Sequence, residues 1–189
     1  ATLGGVSCEW VWQPQSFGDK VILYLHGGSW LMGNLVISRN GASLFAQATP
    51  FKGLSVEYRL APEHPFPIGL KDCLAVWNAL LQSGYHPQDI ALLGDSAGGS
   101  LCLALVHLLL EQQAPLPCAV GLLSPLTDIS DKSIFQLCPL PLAFSGWQGK
   151  RQPIFDLYAK GHDLTNPLLS PIYGDLQGFP PLLIHVGGD

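Results

Sequence analysis

Strand-like and helical runs alternate along the 189 residues, and this alternation predicts an α/β fold with a mostly parallel central sheet and helices on both faces. Composition agrees. Apolar residues make up 48% of the chain and charged residues only 12%, the balance of a sheet whose central strands are covered on both sides. The length suits one domain, burying roughly 70% of the unfolded chain's surface.

The elements follow in order. Strands are expected near 8–12, 21–25, 54–58, 90–94, 118–123 and 182–186, and helices near 38–48, 68–83, 97–112 and 152–160. Val21-Ile22-Leu23-Tyr24-Leu25 is an apolar run with β-branched residues, and Ile90-Ala91-Leu92-Leu93 reads as a buried strand. In 68–83, Leu70, Leu74, Trp77 and Leu81 fall on one helical face, with Lys71 and Asn78 off it. Ser100 to Leu110 is helical. The 127–175 segment breaks the short-loop rhythm, as lids and binding loops do. Its Phe135, Leu137, Leu140, Leu142, Phe144, Trp147, Phe155 and Tyr158 suit either the lining of an apolar pocket or packing onto the body.

Two motifs carry chemistry. Gly94-Asp95-Ser96-Ala97-Gly98 sits between an apolar strand and a helix, the setting in which a tight turn presents a serine as nucleophile. Glycine at 94 and 98 removes a Cβ that would strike neighbouring backbone, and the helix beginning at Ala97 directs free N–H groups at the site. Upstream, His26-Gly27-Gly28-Ser29-Trp30 follows the 21–25 strand, as does the loop that supplies the other half of an oxyanion hole. His26 is expected to hold the shape of that loop. Trp30 is either a wall of the substrate pocket or packing.

Together with Tyr58-Arg59-Leu60-Ala61-Pro62-Glu63-His64-Pro65-Phe66-Pro67, these motifs resemble the hormone-sensitive-lipase-like branch of the α/β-hydrolases, which are carboxylesterases and lipases. The resemblance runs from about Trp10 to Asp189 and takes in Leu122 to Asp128 and Pro180 to Asp189. It implies the α/β-hydrolase fold and a small-molecule ester substrate, with Ser96 as nucleophile and oxyanion donors from Gly27, Gly28, Ser29 and Ala97. Trp30 would lie against substrate, and 127–175 would form part of a cap. The acid would be Asp189 or the residue after it. Many relatives carry a third glycine where this chain has Ser29. His-Gly-Gly-Ser-Trp also resembles the loop of aryl formamidases, which hydrolyse an amide on the same fold, whereas 58–67 favours the esterases.

In this fold the triad runs Ser, acid, His, and none of the six histidines follows the acid position. The expectation is a single incomplete domain, 1–189, whose triad histidine, C-terminal strands and N-terminal cap part lie outside it. A non-catalytic, receptor-like member of the same fold is the alternative from another class. Arg59 and Glu63-His64 are expected to brace the site, and Asp95 and Asp128 to stabilise their own turns.

A net charge of −5 with no basic run argues against nucleic acid. Nothing resembles a metal site, and the mechanism calls for no cofactor. The longest apolar stretch, Leu101 to Leu110, is too short to cross a bilayer. Five cysteines without a C-x-x-C pair fit reduced thiols, in keeping with a cytoplasmic location.

Overall fold

The computed structural model describes residues 1–16, 18–130 and 153–187. Seven strands form one sheet: β1 (Thr2–Leu3), β2 (Val6–Val11), β3 (Val21–Leu25), β4 (Lys52–Val56), β5 (Ile90–Asp95), β6 (Ala119–Leu123) and β7 (Leu182–His185). Their spatial order is β1-β2-β4-β3-β5-β6-β7. The pairs from β4 to β7 are all parallel, while β1–β2 and β2–β4 are antiparallel. All five side chains of β3 are buried, which explains why it reads as a continuous apolar run rather than an alternating one. The register sets Leu25 beside Gly94, so the two motif loops leave neighbouring strands at the same end of the sheet. Ligands of open parallel sheets bind at this end.

Among the described residues four α-helices fill the connections: α1 (Leu35–Ala48), α2 (Ile68–Gln82), α3 (Ala97–Glu111) and α4 (Pro153–Ala159). Helix α1 packs on β2, β3 and β4, while α2 and α3 touch each other and α3 covers β3, β5 and β6. Helix α1 starts three residues before the expected position because the Asn34 side chain accepts the Ile37 N–H at 3.1 Å, an N-cap that satisfies one free donor. Strand β4 lies two residues earlier than expected, since Lys52 pairs with Val21 and the chain leaves the sheet after Val56. Lys20 pairs with Asp89, tying the approach to β3 to the approach to β5. On α3, the buried His107 meets Phe179 edge-on at 4.8 Å.

Strand β7 forms the outer edge of the described sheet. Leu183 is 72% exposed, and Ile184 and Val186 are also open to solvent. Beside them an apolar groove of about 290 Å³ runs between α1 and β5–β7, lined by Phe45, Phe51, Leu93 and Leu183 among others. An open apolar edge is a template for further strand pairing. Expressed by itself, the 189-residue chain is therefore expected to self-associate, and Ile184→Lys to shift it toward monomer. Sedimentation velocity checks this; a monomeric parent chain at tens of micromolar contradicts it.

Candidate active site

Ser96 occupies the single residue between β5 and α3, with φ 50° and ψ −119°. This left-handed region is disfavoured for any residue bearing a Cβ, at a cost on the order of 1–3 kcal/mol. Neighbouring bonds hold it there. The Ser96 N–H donates to the Leu123 carbonyl at 2.9 Å, and its own carbonyl accepts from Ser100 and Leu126, each at 3.2 Å. The Ser100 hydroxyl donates to the Leu126 carbonyl. The flanking glycines are steric requirements. A Cβ on Gly94 would stand 2.5 Å from the Gly98 carbonyl carbon and oxygen. One on Gly98 would overlap the Leu25 carbonyl oxygen and lie 2.6 Å from that of His26. The Ser96 side chain is half-buried, and the first N–H groups of α3, Ala97 foremost, have no partner within the helix.

The facing loop is equally constrained. Gly28, Ser29 and Trp30 have φ of 117°, 55° and 60°, and the Gly28 carbonyl accepts the N–H groups of Leu31 (3.1 Å) and Met32 (2.9 Å). Ser29 thus adopts a backbone that favours glycine. The surroundings of two expected site residues are specific. The Gly27 N–H donates to Asp95 Oδ1 at 2.9 Å, so it is already committed; Gly28 and Ser29 are the candidate donors of this loop. Trp30 is 2% exposed, stacked face to face on Tyr158 at 4.3 Å and edge-on to Phe155 at 6.2 Å. It anchors α4 rather than presenting its face to a cleft.

The 58–67 segment braces this loop. Tyr58 stacks on His26 at 4.4 Å and donates its hydroxyl to the His26 carbonyl at 2.6 Å. The Ala61 N–H donates to the Trp30 carbonyl at 2.9 Å. Arg59 grips the buried Asp72 through Nε (2.9 Å) and Nη2 (2.7 Å), while Glu63 and His64 are exposed. Helix α4 rests on the same segment, with the Phe66 N–H donating to the Tyr158 carbonyl at 2.9 Å. Phe155 and Tyr158, for which pocket lining and packing were both open, are buried in this contact. The other apolar residues of the insertion, Phe135 to Trp147, lie outside the described residues, as does Asp189.

His26 Nδ1 lies 2.6 Å from the Gly27 carbonyl, fixing its ring, and burial lowers its pKa, partly opposed by that bond. His107 is lowered for the same first cause. Among the described residues no histidine is hydrogen-bonded to Ser96. Asp128 accepts the Ser130 N–H at 2.8 Å, a bond within its own turn. Asp95 does something different from the expected turn bond, reaching across to β3 and the loop after it. Sequence reading missed this, because nothing in the local pattern shows where that carboxylate points. Among the described residues no cluster of His, Cys, Asp or Glu is arranged to hold a metal ion. No helix there is long and apolar enough to cross a membrane.

A serine on a strained strand-to-helix turn, opposite a glycine loop leaving the adjacent parallel strand, defines the hydrolase class of this architecture. Residues 22–189 match the family profile described as alpha/beta hydrolase fold, and the chain belongs to that family. It is 35% identical over 188 residues to an acetyl-hydrolase of Streptomyces hygroscopicus, covering 100% of this chain and 62% of that protein. Its fold superposes on an esterase of the bacterial hormone-sensitive lipase family with a TM-score of 0.88 and 38% identity, covering 100% of this chain and 63% of that one. An esterase/lipase from an uncultured bacterium gives a TM-score of 0.89 and 36% identity, with 99% and 63% covered. The chain spans about three fifths of the length of these relatives.

Gly98→Ala, which forces a methyl against the end of β3, is expected to cost on the order of 2–3 kcal/mol; an unchanged urea midpoint refutes the close approach. His26 and His107 have lowered pKa values in the folded state, so the unfolded chain binds more protons once pH drops below about 6.5. Stability is therefore lost as pH falls below that value and is indifferent to these groups above it, each contributing a slope of at most about 1.4 kcal/mol per pH unit. Urea titrations at pH 7.5, 6.5 and 5.5 should show a shallower acid decline in His107→Gln than in the parent.

Proposed function

We propose that the protein containing this chain is a serine carboxylic ester hydrolase of esterase or lipase type. The observation that carries this reading is Ser96, held in a left-handed conformation between β5 and α3 beside a glycine loop tethered to its neighbour Asp95. Ser96 Oγ attacks the ester carbonyl and a histidine takes its proton. The N–H groups of Gly28, Ser29 and Ala97 receive the developing oxyanion. The tetrahedral intermediate collapses to an acyl-enzyme with loss of the alcohol, and water releases the acid. Neither His26, fixed on its own loop, nor His107, buried midway along α3, is the proposed base. Asp189 or the residue after it is the proposed acid.

The 127–175 insertion is assigned to the cap over this site, a role supported by α4 seated on Trp30 and Phe66. A small-molecule ester is the substrate class, and the names of the relatives, acetyl-hydrolase and esterase, support it. A reducing, cytoplasmic setting is also proposed, supported by the cysteines. Cys8, Cys73 and Cys102 are buried thiols, and burial pushes that of Cys8 up to about 11.

In the full-length protein, Ser96→Ala is expected to lower kcat on a short-chain p-nitrophenyl ester by about 10⁶. Retention of most activity refutes the assignment, and faster turnover of a matched N-formyl aryl amide than of the ester favours an amidase. The 189 residues alone are expected to show little turnover on the same ester.

A further inference from the structure

Asp95 stands next to the nucleophile but makes its contacts far away in sequence. Its Oδ1 accepts the Gly27 N–H at 2.9 Å across 68 positions and the Tyr24 hydroxyl at 2.6 Å across 71. Tyr24 is itself fixed. A Cβ on Gly41 of α1 would collide with its ring, which also lies 6.4 Å from that of Phe45. Burial first, and then the Asp95 bond, raise the Tyr24 pKa, so the hydroxyl remains a donor at any pH the protein meets. We infer that Asp95 is a positioning residue for the proposed hydrolysis: one carboxylate oxygen, anchored on β3 through Tyr24, holds the oxyanion loop in register with the nucleophile turn. It also determines which N–H groups the hole contains, since the bound Gly27 is withdrawn and Gly28 and Ser29 remain.

Geometry gives the contact its leverage. Only one peptide separates Asp95 from Ser96, and only one separates Gly27 from Gly28. The tether thus links the attacking atom and the oxyanion donors through a pair of adjacent residues on each side. Displacing a preorganised donor by about 1 Å is enough to lower a rate about 10²-fold. Carboxylate–amide bonds are also the stronger kind. A residue that merely stabilised its own turn would bond to N–H groups one or two positions on; Asp95 instead joins two loops that approach each other only in the folded sheet.

The inference rests on the hydrolase reading, and its test separates the two. In the full-length protein, Asp95→Ala is expected to lower kcat on a p-nitrophenyl ester by about 10²-fold while KM changes less than about twofold. Amide exchange at Gly27, read by hydrogen–deuterium exchange, should quicken by about tenfold or more. Asp95→Asn keeps the accepting oxygen and should recover most of both effects. Tyr24→Phe removes the anchor but leaves the Gly27 bond, so its losses should be smaller than those of Asp95→Ala. If Asp95→Ala does not fold, the Asn and Phe variants decide the matter by the same two readings. An unaltered kcat in Asp95→Ala, a Gly27 amide indifferent to the Asp95 side chain, or no recovery in Asp95→Asn overturns the inference. Turnover that survives Ser96→Ala instead overturns the hydrolase reading, while Gly27 exchange still reports on the tether.

Discussion

The structure depends on how closely the start of α3 passes the end of β3. At Gly98 there is no room for a single carbon atom: its Cβ would enter the carbonyls of Leu25 and His26. This approach lets a helix N-terminus, with its unpaired N–H groups and positive dipole end, lie directly beneath a loop that leaves the next strand. It also forces the chain to turn within one residue, and Ser96 is that residue. Parallel pairing of β3 with β5 sets the direction of approach, and the glycines at 94 and 98 set its distance.

Among the described residues, four of the six non-glycine residues with positive φ, Ser29, Trp30, Ser96 and Ser124, lie at the strand ends where the motif loops meet; the other two, Gln113 and Lys160, follow α3 and α4. Three of these four are held from outside. Trp30 is locked by stacking on Tyr158 and by the bond from Ala61 to its carbonyl, Ser96 by Leu123, Ser100 and Leu126, and Ser124 by the His185 carbonyl at 2.8 Å. Such conformations persist only where the surroundings over-determine them. The 58–67 segment supplies much of that determination, through Tyr58 beneath His26 and the Arg59–Asp72 pair that ties the segment to α2.

Local pattern made most of the fold legible in the amino-acid sequence. Among the described residues, apolar runs and helical spacing located six of the seven strands and the four α-helices, because burial on both faces of a parallel sheet imprints itself on composition. The two-residue β1 has too few residues to show any period. The role of Gly94 and Gly98 was legible because a strand that turns into a helix within one residue leaves no space for a Cβ on either side. Asn34 was an available signal for the start of α1, since a capping side chain precedes its helix in sequence. The contacts between loops were not legible. Nothing in Gly94-Asp95-Ser96 says that the carboxylate turns back to Gly27 and Tyr24, and nothing in His26 to Trp30 says that the indole faces an inserted helix. Those directions are set by rotamer and tertiary packing, which single-sequence periodicity does not encode.

The described residues also separate two requirements of a serine hydrolase that are often considered together. The contacts that join the serine turn to the facing loop lie between Tyr24 and Leu126: the turn, the loop, the carboxylate that links them and the tyrosine that stacks beneath, with Tyr158 supporting Trp30 from α4. None of these contacts calls on a general base. His26, the one histidine in the motif loop, is committed by its Nδ1 bond and by the face of Tyr58 to holding backbone, and its lowered pKa keeps it uncharged in that role. An oxyanion site built independently of the base retains its complementarity to a tetrahedral centre whichever side chain supplies the proton relay. Fixed donors already oriented toward a developing charge need no rearrangement when the charge appears.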